Sequence, residues 1–343
     1  MSQHRIASFE FGRVIATIAI IAIIALHSQI FMQAPLFNDQ PLLGMGLNQV
    51  SRFAVPLFFI IAGYFIQPRL TTERIPYLWR YARPLLIMWV SWSIIYLILP
   101  FNFHIVATEG YFTERLFYWQ KLLTAPLNTL FEGGLVHLWY IPGLLSGLTI
   151  ITVLLRLKLS RLIIPVATLL FIFGLMAGSY AQITELSSPI FTRNGPFFST
   201  FMIMLGFEVR RRNISVSLKN SIIMMLVGFG LFIGEANYLS LQENGTFFHD
   251  FLFGTPLWAL GVFFILLAKP NLGDYKIIHS LSKDVLGIYL CHLLIVIYYL
   301  NIISILNINP IIASLFAVPV VFTVSIIIVH CLRKTSITRY LVR

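Results

Sequence analysis

From Val14 to Leu26 the chain reads VIATIAIIAIIAL, thirteen residues without a charge, and runs of this kind recur to the far end. Apolar stretches fall at about 11–33, 50–67, 80–101, 135–155, 162–181, 196–209, 220–238, 251–268, 284–306 and 310–332. A bilayer asks for about 20 apolar residues per spanning helix. Hydrocarbon leaves no partner for unpaired backbone groups, so open sheets are excluded, and the runs are too long for porin-type strands. The expectation is an all-α polytopic transmembrane bundle of about ten helices. Hydrophobic residues make up 58% of the 343-residue chain and charged residues 11%, at a mean hydropathy of +0.85. A surface facing water needs more charge than that, so lipid is the main solvent. No repeat, low-complexity linker or polar appendage breaks the pattern, and residues 1–343 read as a single integral membrane domain. The first run follows a basic segment, as a signal peptide would. The apolar stretch resumes after His27 and Ser28 without a small-x-small cleavage site, so it reads as a retained first helix.

The formal charge of +11 points toward nucleic acid until its positions are plotted. No polar domain carries a Lys/Arg cluster with interleaved aromatics, and the 15% aromatic content suits interfacial belts and helix packing. With the N-terminus cytoplasmic, only Arg52, Arg115, Lys121 and Arg193 of the 24 Lys and Arg residues fall on the outer side. The excess of cytoplasmic charge places both termini on the cytoplasmic side of a membrane crossed many times. The two cysteines, Cys291 and Cys331, lie in apolar runs and suggest neither a disulfide framework nor a metal site; no metal is expected. The outer connection at about 102–134 carries Glu109, Glu114, Arg115, Lys121 and Glu132. It is long enough to hold a short interfacial helix, as a passive cover or a binding lid.

Ionisable side chains inside apolar runs are costly and mark candidate sites. Among the histidines in such runs His27, His137 and His292 stand out, and imidazole is the side chain best matched to proton transfer near neutral pH. Each also has the plain reading of a packed, hydrogen-bonded histidine. Glu10 and Arg13 stand three apart, on one helical face. Arg13 and His27 stand fourteen apart, roughly 21 Å of helical rise. Arg80 and Arg83, in the stretch LWRYAR before Pro84, are spaced to grip a phosphate from one side; as snorkelling anchors they would look the same.

These features, taken in order, resemble the acyltransferase-3 membrane proteins, which acetylate bacterial surface polysaccharides. The resemblance spans most of the chain. It includes the Glu-x-x-Arg opening at Glu10–Arg13, His27, SRFAVPLFFIIAGYF at Ser51–Phe65, and the pair Arg80 and Arg83. It continues through HLWYIPGLL at His137–Leu145, RNG at Arg193–Gly195, FMIMLGFEVR ending at Arg210, and GIYLCH at Gly287–His292. The family spaces its first arginine and histidine eleven apart, three fewer than here. The difference adds about 4.5 Å of rise and roughly 60° of rotation.

The resemblance implies acetyl transfer across the membrane, with no permanently bound cofactor and acetyl-CoA as the acyl donor. Arg80 and Arg83, with Arg13, would hold the donor's phosphates. Glu10, Arg13 and His27 would form the catalytic set, His27 serving as general base or as acyl carrier. Arg52, His137, Trp139, Arg193 and His292 would face the acceptor, a surface polysaccharide or lipid-linked glycan. Rival readings are a transporter or flippase of lipid-linked glycan, and succinyl or other acyl transfer on the same scaffold. A metal-dependent glycosyltransferase would need acidic residues in the first outer connection, which offers only Asp39.

Overall fold

The computed structural model describes residues 6–27, 42–242, 245–336 and 338–342, with the backbone alone for 24–27, 42 and 43. Residues 28–41, which include Asp39, lie outside the described part, as does Glu243. Among the described residues every regular element is a helix. In chain order these are α1 Ala7–His27, α2 Leu42–Ser51, α3 Ala54–Ile98, α4 Phe103–Glu109, α5 Tyr111–Leu123, α6 Pro126–Glu132, α7 Tyr140–Arg156, α8 Ile163–Met176, α9 Ala181–Thr184, α10 Pro196–Arg211, α11 Leu218–Ser240, α12 Gly254–Ala268, α13 Lys276–Ser282, α14 Val285–Ile305 and α15 Pro310–Arg333. Among the described residues five segments are long and apolar enough to cross a membrane: Gly44–Ile98, Val136–Arg156, Leu218–Ser240, Val285–Ile305 and Pro310–Arg333. Shorter apolar helices occupy Ser160–Met176 and Gly254–Ala268.

The largest departure from the expected pattern is α3. Two separate apolar stretches, at about 50–67 and 80–101, lie in one 45-residue helical run that continues through Arg69, Glu73, Arg80 and Arg83. Arg74 interrupts it, with φ 46° and ψ −114°. Pro76 is the local cause: it has no N–H to offer the Thr72 carbonyl, and its ring crowds that carbonyl. A non-glycine residue at positive φ costs on the order of 1–3 kcal/mol. The charges and prolines read as a loop in sequence because they mark exposure; locally the chain stays helical on both sides of the bend.

The chain forms two compact units, each gathered from separated segments: Met1–Gly12, Arg52–Ile87 and Trp139–Asp274 in one, Arg13–Ser51, Met88–Leu138 and Tyr275–Arg343 in the other. The first unit is held by close helix approach. A Cβ on Gly206 of α10 would collide with the Ile60 carbonyl of α3, and one on Gly228 of α11 with the Trp258 backbone of α12. Only glycine lets these backbones touch, the usual device where lipid removes the hydrophobic drive between helices. Beside them Phe232, Ala236, Leu239, Leu252 and Trp258 form a buried cluster. The first turns of α1 are fixed here too: Ser8 donates to the Leu266 carbonyl at 2.5 Å, and Phe9 stacks on Phe263 with centroids 5.0 Å apart.

In the second unit, α14 and α15 pack together, and Gly287 accommodates Val329 and Val342. The expected outer connection is three short helices, α4 to α6. Asn102 caps α4 by accepting from the Ile105 N–H at 3.1 Å, and Asn301 of α14 ties down its start, accepting from Phe103 N–H and donating to the Phe101 carbonyl, both at 2.8 Å. On α5, Phe112, Leu116 and Leu123 are exposed while Glu114 and Arg115 are buried. Apolar side chains outward and an ion pair inward is what an interfacial helix needs.

Candidate functional site

The second unit assembles the densest group of candidate residues. His137 sits in a 3-10 turn, Val136–Trp139, that leads into α7, while His292 lies on α14. They are 155 positions apart in the chain, yet their rings meet edge to face with centroids 5.2 Å apart. Both are buried, 4% and 0% exposed. His137 places Nε2 at 3.1 Å from the Leu290 carbonyl, and His292 places Nδ1 at 2.6 Å from the Tyr289 carbonyl. A carbonyl oxygen only accepts, so each of these nitrogens carries the proton. The tautomers are thereby set: Nδ1 of His137 and Nε2 of His292 are acceptors, and neither has a hydrogen-bond partner among the described residues. Two tyrosines brace the group. Tyr96 donates to the Leu290 carbonyl and Tyr289 to the His137 carbonyl, and Tyr96 packs edge-on against His137 at 5.5 Å.

Just before α14, Arg13 of α1 donates to the Ser282 carbonyl at 3.3 Å, and Arg333 of α15 donates to the Lys283 carbonyl at 2.7 Å. Both carbonyls belong to the end of α13, where a cation complements the helix dipole. Arg333 also pairs with Asp284, which is 1% exposed. Arg13 is therefore held in place by a helix terminus. Glu10 lies one turn earlier on α1, half-buried. His27 is the final residue of α1; its side chain lies outside the described part.

The first unit holds the remaining candidates in two places. Arg52 donates to the His249 carbonyl at 2.6 Å and stands 3.6 Å from Asp250, whose other oxygen accepts from Arg193 at 2.8 Å. Asp250 thus joins two arginines that the resemblance placed in one acceptor-facing set. Trp139 packs against Phe59, centroids 6.2 Å apart, and Phe59 stacks on Tyr140 at 4.7 Å. At the bend of α3, Arg80 and Arg83 are both exposed. Arg80 is paired with Glu73, and the Arg69 and Arg80 guanidiniums lie 5.8 and 5.9 Å from the Tyr77 ring centroid. Exposed arginines beside an aromatic ring can grip a phosphate and cover a purine face. The Glu73 pairing means that a phosphate on Arg80 has a carboxylate to displace.

Sequence reading missed Asp250, Tyr96, Tyr289 and Glu73. Asp250 left a trace as the acid in FFHDF, and Tyr289 lies inside the GIYLCH stretch.

A family model described as an acyltransferase domain, that of the acyltransferase-3 family, matches residues 12–330. Among curated proteins, an amino-acid racemase of Enterococcus faecalis is 26% identical over 364 residues, 98% of this chain and 48% of the relative. A second amino-acid racemase of that species is 28% identical over 263 residues, 73% of this chain and 34% of its own length. A serine/alanine racemase of Enterococcus gallinarum is 26% identical over 208 residues, covering 55% and 28%. The chain spans about half the length, or less, of the curated relatives it matches. No solved structure matches it. The family match runs from the second turn of α1 almost to the end of α15, across both units and every candidate residue but Glu10, and the chain belongs to the acyltransferase-3 family.

Proposed function

We propose that this acyltransferase moves an acetyl group from cytoplasmic acetyl-CoA to a hydroxyl of a cell-surface glycan or its lipid-linked precursor. The observation that carries the reading is the family match over residues 12–330, on a chain whose described residues include five helices long and apolar enough to cross a membrane. Residues 1–343 act as one acyltransferase domain. In the reaction, His27 takes the hydroxyl proton as the acceptor oxygen bonds to the thioester carbon; the carbon–sulfur bond breaks and CoA leaves as the thiolate. Arg80 and Arg83 hold the donor's phosphates, with Glu10 and Arg13 at the start of α1. Arg52, Trp139 and Arg193 from one unit, and His137 and His292 from the other, serve the acceptor. Incubating the purified protein with labelled acetyl-CoA and acceptor glycan tests the reading. Release of CoA with label in the glycan is expected, and intact donor after prolonged incubation would refute it. Substituting succinyl-CoA in the same assay decides the acyl group.

The proposed topology is a multi-pass protein of the bacterial inner membrane, with about ten crossings and both termini cytoplasmic. A reporter between Arg210 and Lys219 or after Arg343 is expected to behave as cytoplasmic, and one at Glu109 as periplasmic. The 20-to-4 split of basic residues motivates this. A periplasmic C-terminus would overturn the ten-helix topology.

Replacing both Arg80 and Arg83 with Gln removes charge and fork geometry while keeping the helix. The apparent KM for acetyl-CoA is expected to rise by at least 10-fold, as loss of one or two charge-assisted hydrogen bonds predicts at roughly 1.5–3 kcal/mol each. Insertion should be unchanged. Normal donor kinetics in a well-expressed double variant would return both to the role of anchors.

A further inference from the structure

In a continuing helix the carbonyls of Tyr96, Leu97 and Ile98, at the end of α3, would accept from the N–H groups four residues on. For Tyr96 that residue is Pro100, which has no N–H. The next two, the Phe101 and Asn102 N–H groups, donate instead to Glu114 of α5 at 2.9 and 3.2 Å. The same helix returns the missing donors. Arg115 donates to the Tyr96 carbonyl at 3.1 Å, Trp119 Nε1 to Leu97 at 3.0 Å and the Tyr111 hydroxyl to Ile98 at 2.6 Å. A helix end in water can leave its last carbonyls to the solvent. At the edge of hydrocarbon the protein has to supply the donors itself, and α5 supplies one to each of the three.

The surface of α5 divides into three flanks. Phe112, Leu116, Trp119 and Leu123 fall within about 60° of one another around the helix, and all four are exposed, Phe112 at 78% and Leu123 at 74%. Thr113 and Gln120 lie roughly 80° to one side of that row, with Lys121 beyond them; Gln120 and Lys121 are exposed. Phe117, also exposed, sits outside the row beside Lys121. The third flank meets the protein: Glu114 is buried, and Tyr118 donates to the Gly134 carbonyl at 2.7 Å. A helix with an apolar, a polar and a protein-facing flank suits the plane where lipid, water and protein meet, and Trp and Tyr are at home there. The lipid-facing surface of α3 leads to the same place. Val90, Ile94 and Ile98 form an exposed apolar row in a segment fit to cross a membrane. The row ends at Ile98, whose carbonyl holds Tyr111.

We propose that α5 is a fixed, lipid-embedded collar at the end of α3. The Phe112–Leu116–Trp119–Leu123 row is inserted among the acyl chains of the adjoining leaflet, and the Thr113–Gln120–Lys121 flank stands in water. Of the two roles open to this connection, cover and lid, the structure supports the cover. The side chains that hold α5 are the same ones that terminate α3, so lifting the helix would strip three carbonyls and strand the Glu114–Arg115 pair. The inference rests on the membrane reading of the chain and owes nothing to acyl transfer.

Nitroxide spin labels on the full chain, reconstituted in phosphatidylethanolamine–phosphatidylglycerol vesicles, test the collar. Cys331→Ser removes the exposed thiol, and Cys291 is buried. Single cysteines are then placed by Phe112→Cys, Leu116→Cys and Leu123→Cys in the row, by Gln120→Cys and Lys121→Cys on the polar flank, and by Ile94→Cys on α3 as the lipid reference. Each label is relaxed with oxygen, which concentrates in lipid, and with a water-soluble nickel chelate. The row is expected to prefer oxygen several-fold, as Ile94 does, and the flank to prefer nickel. Row labels that respond to nickel as the flank does, while Ile94 stays in lipid, would overturn the collar and leave the membrane reading intact. An Ile94 label open to nickel would overturn both. Row labels shielded from both reagents would mean that protein covers this face, with dipolar broadening marking a second copy of the chain, and would also overturn it. Adding acetyl-CoA is expected to change none of the ratios; row labels that move into water on its addition would show a lid and refute the fixed collar.

Discussion

Replacing His27 with alanine is expected to abolish detectable acetylation while leaving the amount of membrane-inserted protein unchanged. A general base contributes typically 10²–10⁴-fold in rate, enough to bring a slow membrane enzyme to background. His27 is the last residue of a continuous helix that begins at Ala7. Its fourteen-residue distance from Arg13 is therefore helical rise, roughly 21 Å, about the distance from one rim of the bilayer core into its far half. The lower part of α1 is fixed by Ser8 on Leu266 and by Arg13 on Ser282. Val14, Ala16, Thr17, Ile20 and Ile21 are buried along the same helix. The longer spacing is thus built into a packed element. Deleting Ile18–Ile20 restores the eleven-residue interval of the family but turns one half of α1 against the other by about 60°, and that variant is expected to be inactive. Quantifying glycan-bound acetate beside protein abundance checks both variants. Wild-type acetylation in His27→Ala would remove His27 from the chemistry.

The parts of this protein legible in sequence are those written locally. Helices such as α7, α10 and α15 coincide with apolar runs because hydrocarbon leaves the backbone no other partner. The bend at Arg74 was hidden, since Pro68, Pro76 and Pro84 look alike in sequence whether they end a helix or kink one. His27, His137 and His292 were legible as candidates because an ionisable group in an apolar run stands out one residue at a time; Arg52 and Arg193 were legible only through the family resemblance. Their partners were not. Asp250 reaches Arg52 and Arg193 across nearly 200 and about 60 residues, and no local pattern announces such a contact. The pairing of His137 with His292 depends on how the turn at Val136–Trp139 meets α14, and the tautomers follow from backbone carbonyls, which sequence does not display. Glu114 and Arg115 show the same limit most sharply. Neighbours at i and i+1 do not face each other on a helix, so in sequence they read as two loop charges.

In the structure they are one buried ion pair, and breaking it is expected to produce the largest loss of stability of any single change outside the apolar core. Arg115 is 0% and Glu114 4% exposed. Arg115 donates to Glu114 through Nε and, at 2.6 Å, through Nη2, and to the Tyr96 carbonyl at 3.1 Å. Its guanidinium lies 4.5 Å from the Phe101 ring centroid and 4.9 Å from that of Tyr118. Glu114 also accepts from the Phe101 and Asn102 N–H groups at 2.9 and 3.2 Å. The pair fastens α5 to the end of α3 and, through Tyr96, to the strand of contacts around His137. Removing one partner leaves an uncompensated charge inside, at a cost of about 3–5 kcal/mol. Arg115→Met should therefore lower the unfolding midpoint of the solubilised protein steeply. The double variant Glu114→Leu with Arg115→Met should recover much of the loss, because no charge is then stranded. Acidity supplies an independent check. Burial alone pushes the Glu114 carboxyl up, but the Arg115 hydrogen bond, the Phe101 N–H, the Arg115 charge and the Asn102 N–H together outweigh it and hold the carboxyl below its ordinary value. A depressed folded value means the stabilisation is complete above the ordinary carboxylate range and is lost as pH falls through the folded value. In Arg115→Met the balance reverses, since burial now favours the protonated acid, and lowering the pH from neutral should stabilise that variant. Unfolding midpoints that fall in parallel with acid in both proteins would show that Glu114 is not the group held by Arg115.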